Sequence, residues 1–182
     1  MTPEKLTPAE TLGAGLIARP ALTEGLVPVG TFTMEHIRDG EVIHSETFKN
    51  LVTTEGKNAM LDKFLGLGSA YAGIFLGLHT TVGNAASTYA APSPQVESTV
   101  SSRVAPSFSA ASAGSKGTSS AASFSITGTA TIIGAFCVLG PAGTGTAGNT
   151  ASGGILLSTG SFSGSRAVVN LDTINVTWSL AL

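Results

Sequence analysis

The chain has 182 residues, 42% of them apolar and only 11% charged, with a mean hydropathy of +0.33 and a net charge of −2. That length suits one domain plus an extension, with apolar side chain enough for a sizeable core, while the charge falls well short of the usual quarter. Nothing in the near-neutral balance suggests nucleic-acid binding. No apolar run reaches the length of a membrane-spanning helix. The single cysteine, Cys137, excludes an intrachain disulfide and fits synthesis in a reducing cytoplasm.

The start, Met1-Thr-Pro-Glu-Lys, lacks the basic and apolar segments of a signal peptide. Residues 1–28 then read as an arm rather than as part of the body. Pro3, Pro8, Pro20 and Pro28 break the segment, and Gly13 and Gly15 interrupt any long helix. Yet Leu6, Leu12, Leu16, Ile17, Leu22 and Leu26 are too many apolar residues for a solvated tail. The expectation is an extended N-terminal arm that lies on a neighbouring subunit; the alternative is packing back on its own domain.

Residues 29–182 are expected to form the body. Residues 29–49 form a hairpin, because Asp39-Gly40 is a two-residue type I′ turn signal. An unbroken register places Ile37 opposite Val42 and Glu35 opposite His44. It puts Phe32, Met34 and Ile43 on one face, with Ile37, Val42 and Phe48 on the other. His36 and His44 then lie on opposite faces, as ordinary strand residues that cannot share a metal. The one helix is expected near Thr54–Leu65. Thr53 or Thr54 caps it, Glu55 favours its positive end and Gly66 ends it. Its stripe of Met60, Leu61, Phe64 and Leu65 should face the core.

Gly73–Thr81 reads as a strand, residues 82–95 as a long surface loop. Further strands are expected at about 99–109, 121–127, 129–139, 153–161, 166–171 and 173–182, with loops at 110–120 and 141–152. Ala122-Ser-Phe-Ser-Ile-Thr alternates, which implies one buried face. Thr131–Leu139 is continuously apolar, which implies burial on both faces or a central strand. The expected fold is mainly β: a jelly-roll-like antiparallel β-sandwich with one short helix and the extended arm. Phe32, Phe64, Phe75, Phe136 and Trp178 are its expected core anchors.

The charges are uneven. Fifteen of the twenty lie between Glu4 and Lys63, and Ser98–Leu171 holds only Arg103, Lys116 and Arg166. So little charge implies a surface packed against copies of itself or a partner, the alternative being a hydroxyl-coated monomer.

Motifs for chemistry fail on context. Gly143-Thr-Gly-Thr-Ala-Gly148 spells a nucleotide fingerprint, but no helix can follow it in Asn149-Thr-Ala-Ser-Gly-Gly. Gly160-Ser-Phe-Ser-Gly164 has Phe162 where a nucleophile elbow needs serine. His79 could recruit only Glu97 or Asp172 among later carboxylates. Asn175-Val-Thr177 matches a glycosylation acceptor inside an expected core strand, and Cys137 reads as a small core residue. No His/Cys/Asp cluster has metal spacing. No catalytic residue, metal or cofactor is expected.

One order of elements does carry a resemblance. After the hairpin, Phe48-Lys-Asn-Leu-Val-Thr-Thr-Glu-Gly opens the helix, followed by Ile74-Phe-Leu-Gly-Leu-His-Thr and a Tyr-Ala pair at Tyr89. Then come Ser102-Arg-Val-Ala-Pro-Ser-Phe-Ser-Ala-Ala-Ser, Gly153-Gly-Ile-Leu-Leu and Val168-Val-Asn-Leu-Asp-Thr-Ile-Asn-Val. Residues 45–182 thereby resemble small virion proteins of tailed bacteriophages that decorate or cement the head, or sit at its vertices or tail. The resemblance implies a sandwich present in many copies and no enzymatic activity. The expected role is a capsid decoration (cement) protein made in the host cytoplasm and placed on the capsid exterior. Its partners would be the major capsid protein and copies of itself, as a dimer or trimer at a symmetry axis. No nucleic acid or membrane partner is expected. The alternative is a head-fibre, tail or spike protein binding a host surface glycan through loop aromatics such as Tyr89 and Tyr71.

Overall fold

The computed structural model describes residues 27–66, 71, 73–80, 83–89, 103–140 and 154–182. The expected arm up to Leu26, the Gly143–Gly148 motif and Glu97 lie outside the described residues. The described chain is mainly β, a curled antiparallel sheet with one short helix.

β1 (Val29–Arg38) and β2 (Glu41–Val52) form the hairpin. Asp39 and Gly40 have φ of 52° and 82°, the left-handed pair that a type I′ turn requires. The register holds from the turn to Ile37 opposite Val42 and then shifts, so that His36 faces His44 and Glu35 faces Ser45. Ile43 is the extra residue. The bulge overturns the expected facing: a one-residue shift moves every later β2 side chain to the other face. Phe48 therefore stacks on Phe32 at 5.4 Å between ring centroids, Ile43 is exposed, and His36 and His44 lie directly opposite each other.

β2 runs into the helix α1 (Thr54–Phe64), and β3 (Gly73–His79) follows. β4 (Ser115–Gly117) is a three-residue strand within the expected 110–120 loop. The expected strand at 99–109 is reduced, over its described part, to isolated bridges of Val104 with Leu76 and Phe108 with Thr118. β5 (Ala122–Ser125), β6 (Ala130–Gly140), β7 (Ile155–Val168) and β8 (Thr173–Ala181) complete the sheet. β7 is one strand where two were expected; its Gly/Ser-rich middle pairs on, or bulges against, β6 instead of turning.

The sheet order is β3-β6-β7-β2-β1-β8, with β4 and β5 sharing the outer edge of β8. β2 joins the two halves. Gly30–Arg38 of β1 pair along most of it, but only Leu51 and Val52 pair with β7. The strands splay from there, and the main core fills the angle with Phe32, Met34, Leu76, Phe124, Ile132, Ile174 and Trp178. In β8, Ile174, Val176 and Trp178 are buried in alternation with half-buried Thr173, Asn175 and Thr177. Trp178 donates its Nε1–H to the Ser158 hydroxyl at 3.2 Å, which satisfies its polar tip inside the core.

β6 is apolar without alternation because both of its faces are covered. Ile132, Ala135 and Cys137 belong to the main core, while Phe136 and Val138 pack with Tyr89 and Leu156 on the reverse side. Phe75 is half-buried against that second cluster. Across from Phe136 is Gly77, where a Cβ would overlap the Phe136 ring.

α1 begins where expected: Thr53 Oγ1 accepts from the Gly56 amide at 3.0 Å. Its facing is not as expected. Gly56 and Ala59 are buried, Met60 is half-buried, and Leu61, Phe64 and Leu65 are exposed. Phe64 is 87% exposed and is no core anchor. The cause is the closeness of the helix to β7. A Cβ at Gly56 would run into the Leu157 carbonyl, so the face with the smallest side chains goes inward and the bulky stripe turns out.

Candidate interaction surface

A bulge in β7 prepares the docking of α1. Cys137 pairs with Ser158 and Val138 with Leu156, which leaves Leu157 out of the ladder. Its carbonyl accepts the Thr53 amide at 3.1 Å, and the Leu156 carbonyl accepts the Thr53 hydroxyl. Glu55 in the first turn adds a second tie. Its Oε2 accepts the amides of Leu156 at 2.7 Å and Tyr89 at 2.8 Å. One carboxylate thereby joins the helix, β7 and the 83–89 segment, and its charge sits at the positive end of the helix.

With that inner face fixed, the outer face of α1 is left apolar. Met60, Leu61 and Phe64 line an open cleft of about 450 Å³ together with Val27, Pro28, Leu182 and Lys57. Lys57 is the only charged side chain among the described lining. The cleft lies where the described chain begins and ends, since Val29 pairs with Ala181. Exposed apolar side chains gathered in this way usually mark a contact site.

The buried titratable groups serve the frame instead. His36 Nε2 donates to Asp172 Oδ2 at 2.8 Å, and Arg38 donates from Nε and Nη2 to both carboxylate oxygens at 2.8 Å. The Val169 amide adds a fourth bond at 2.9 Å. The Arg38 hydrogen bonds first, then those of Val169 and His36, hold the buried Asp172 carboxyl well below the usual carboxylate range against the opposing effect of burial. The cluster clasps the end of β1 to the β7–β8 turn. Of the two carboxylates that could have served His79, Asp172 is thus committed to His36 and Arg38, and Glu97 lies outside the described residues. His79 itself is buried and donates from Nε2 to the Gly160 carbonyl at 3.0 Å. Burial pushes the Cys137 thiol up, out of reach of thiolate chemistry.

In the splay between β2 and β7, Glu46 Oε2 accepts the Ser163 hydroxyl at 2.6 Å and amide at 3.1 Å. Burial alone would raise the Glu46 carboxyl; the Ser163 bonds, with Arg166 and His44 nearby, outweigh it and hold the group low. Arg103 stacks on Tyr89 and Phe136, its guanidinium carbon 5.1 Å and 5.6 Å from the ring centroids, and donates to the Tyr89 hydroxyl at 3.1 Å. Among the described residues no group of three or more His, Cys, Asp or Glu is placed to hold a metal ion. No helix of the described chain is long and apolar enough to cross a membrane.

Of the residues singled out from sequence, Phe32, Phe136 and Trp178 are buried, Phe75 is half-buried and Phe64 lies on the cleft. Leu6, Leu12, Leu16, Ile17, Leu22 and Leu26 lie outside the described residues. Sequence reasoning found the stripe on α1 but not its outward facing, and missed Pro28, Lys57 and Leu182 as its neighbours. The signal available was Gly56, a residue that favours close backbone approach over helix stability. Comparison of the chain with protein-family models, curated proteins and solved structures finds no match.

Proposed function

We propose that this chain is a structural, non-enzymatic protein of a tailed-phage particle, a decoration (cement) protein that binds the major capsid shell and stabilises the head. The observation that carries the reading is the division of labour just described. The buried acids and histidines are spent on internal clasps, while apolar side chains are left outward on α1 and at the two ends of the described chain. A body built in that way is suited to assembly rather than chemistry. The low charge and the sequence resemblance support the same reading. In it the curled sheet is a jelly-roll-like sandwich seated on the capsid exterior. Residues 1–28 are an arm reaching a neighbouring subunit, and copies meet as a dimer or trimer at a symmetry axis. Cross-linking adjacent capsomers would raise the barrier to bursting. The glycan-binding alternative needs exposed loop aromatics; Tyr89 is buried beneath Arg103, and Tyr71 is half-buried with the Lys63 ammonium 5.3 Å from its ring centroid.

Two measurements test the proposal: co-sedimentation of the purified protein with shells of major capsid protein, and electron microscopy of particles labelled on this chain. Saturable binding and label over the whole head are expected. Label confined to one vertex or the tail, with binding to host cells, would favour the fibre or spike reading.

A further inference from the structure

Leu171, in the β7–β8 turn, is held where a leucine is costly. Its φ of 76° is in the left-handed region, which bulky side chains rarely enter, and it is 85% exposed. The turn keeps this shape because it is tied on several sides. The Leu171 amide donates to the Ile126 carbonyl at 3.0 Å and the Asp172 amide to the Val169 carbonyl at 3.1 Å, while Arg38 and His36 clasp the Asp172 carboxylate. An apolar side chain presented on strained, firmly held backbone is organised for an outside contact. Val42, Ile43 and Val169 are exposed at the same end, where Ile37 pairs with both Val42 and Thr173.

The cleft on α1 lies at the opposite end. The β1–β8 ladder runs from Ile37 opposite Thr173 to Val29 opposite Ala181, about 27 Å at ~3.4 Å per residue. A knob and a cleft that far apart cannot meet within one body, but they can meet between successive copies. Charge agrees with this. Asp39 and Glu41 stand exposed at the knob end, next to Arg38 and its bond to Asp172, whereas Lys57 is the only charge in the described lining of the cleft. Cleft set against cleft, or knob against knob, would instead bring like charges together.

We propose that Leu171 of one copy seats in the α1 cleft of the next, against Leu61 and Phe64, with the acidic hairpin tip toward Lys57. Such a contact is head-to-tail, so it closes into a ring or runs on as a chain and does not stop at a twofold dimer. Of the two assemblies named above it selects the trimer. The contact deepens the self-association proposed above and rests on that part of the reading alone; attachment to capsid shells is measured separately.

Complementation between two variants of the full chain tests it. Phe64→Ser spoils the cleft and leaves the knob. Leu171→Asn removes the knob with a residue that accepts the left-handed conformation. Both positions are exposed, so both variants should fold, which circular dichroism and thermal melting check. In sedimentation velocity the parent should form oligomers that grow with concentration, and each variant alone should stay monomeric. Their equimolar mixture should give a 1:1 dimer, because one intact knob then meets one intact cleft. A parent that is monomeric at every concentration would overturn the proposal, as would a mixture without the dimer. Association lost in Phe64→Ser but kept in Leu171→Asn would mean that two clefts face each other, and would overturn it too. Co-sedimentation with capsid shells is read in parallel: saturable binding by a monomeric parent would refute this contact and leave the capsid reading standing.

Discussion

Asp172 shows what a single buried carboxylate does in this frame. Its folded-state value is depressed, so it contributes stability at neutral pH. That contribution is lost as pH falls from the unfolded carboxylate value of about 4 through the lower folded value. Acid titration of Asp172→Asn should therefore lose part of the decline expected of the parent below about pH 4, besides being less stable at pH 7. An unchanged acid limb would count against the clasp. Two aromatic residues make the opposite pair. Trp178 is buried with its N–H satisfied, so Trp178→Ala should cost about 3–5 kcal/mol in a denaturant melt, and the parent should emit at short wavelength. Phe64→Ser removes a ring that the body does not enclose. It should change stability by less than about 1 kcal/mol.

At the scale of elements, Gly56 sets two effects against each other. Glycine inside a helix costs about 1 kcal/mol relative to alanine, so propensity alone favours Gly56→Ala. The added Cβ, however, would meet backbone, the Leu157 carbonyl, and backbone cannot rotate aside. Overpacking of that kind costs about 1–3 kcal/mol, so a net loss in melting temperature is expected; a gain would mean that α1 can slide on β7. The same helix shows what was legible in the sequence. Its capping Thr53, the acidic first turn and both ends could be read from local chemistry, as could the alternation of β8 and the two-faced burial of β6. Its facing could not, because that depends on a bulge in β7 about a hundred residues further on. The β1–β2 register failed for a related reason: the turn is encoded in Asp39-Gly40, but the bulge at Ile43 is set by what the rest of the sheet needs at His36. The Asp172 clasp was hidden likewise, since nothing local ties Asp172 to His36 and Arg38.

For the whole molecule, the proposed arm separates stability from attachment. A chain lacking residues 1–17 loses Leu6, Leu12, Leu16 and Ile17 of that arm. Its melting temperature should stay within a degree or two of the parent, while its occupancy on capsid shells should fall sharply. Unchanged occupancy would move the attachment site to the charge-poor β surface. A collapse in melting temperature would mean that those leucines belong to the body's own core.

The double pairing of β1 has a mechanical consequence. Every residue from Gly30 to Ile37 has a partner in β2 on one side and in β8 on the other, and successive residues bond to the two neighbours in alternation. β8 runs antiparallel, so Val29 meets Ala181 at one end and Ile37 meets Thr173 at the other. Tension between the segment before Val27 and the turn at Leu171 pulls β1 and β8 lengthwise past each other, and the whole ladder shares the load. Tension between that segment and Leu182 peels the same ladder open one pair at a time. Single-molecule pulling should therefore find a high rupture force in the first geometry and a low one in the second. A chain tethered by its front end and braced across its body would hold fast under strain, yet come apart readily when drawn from its tail.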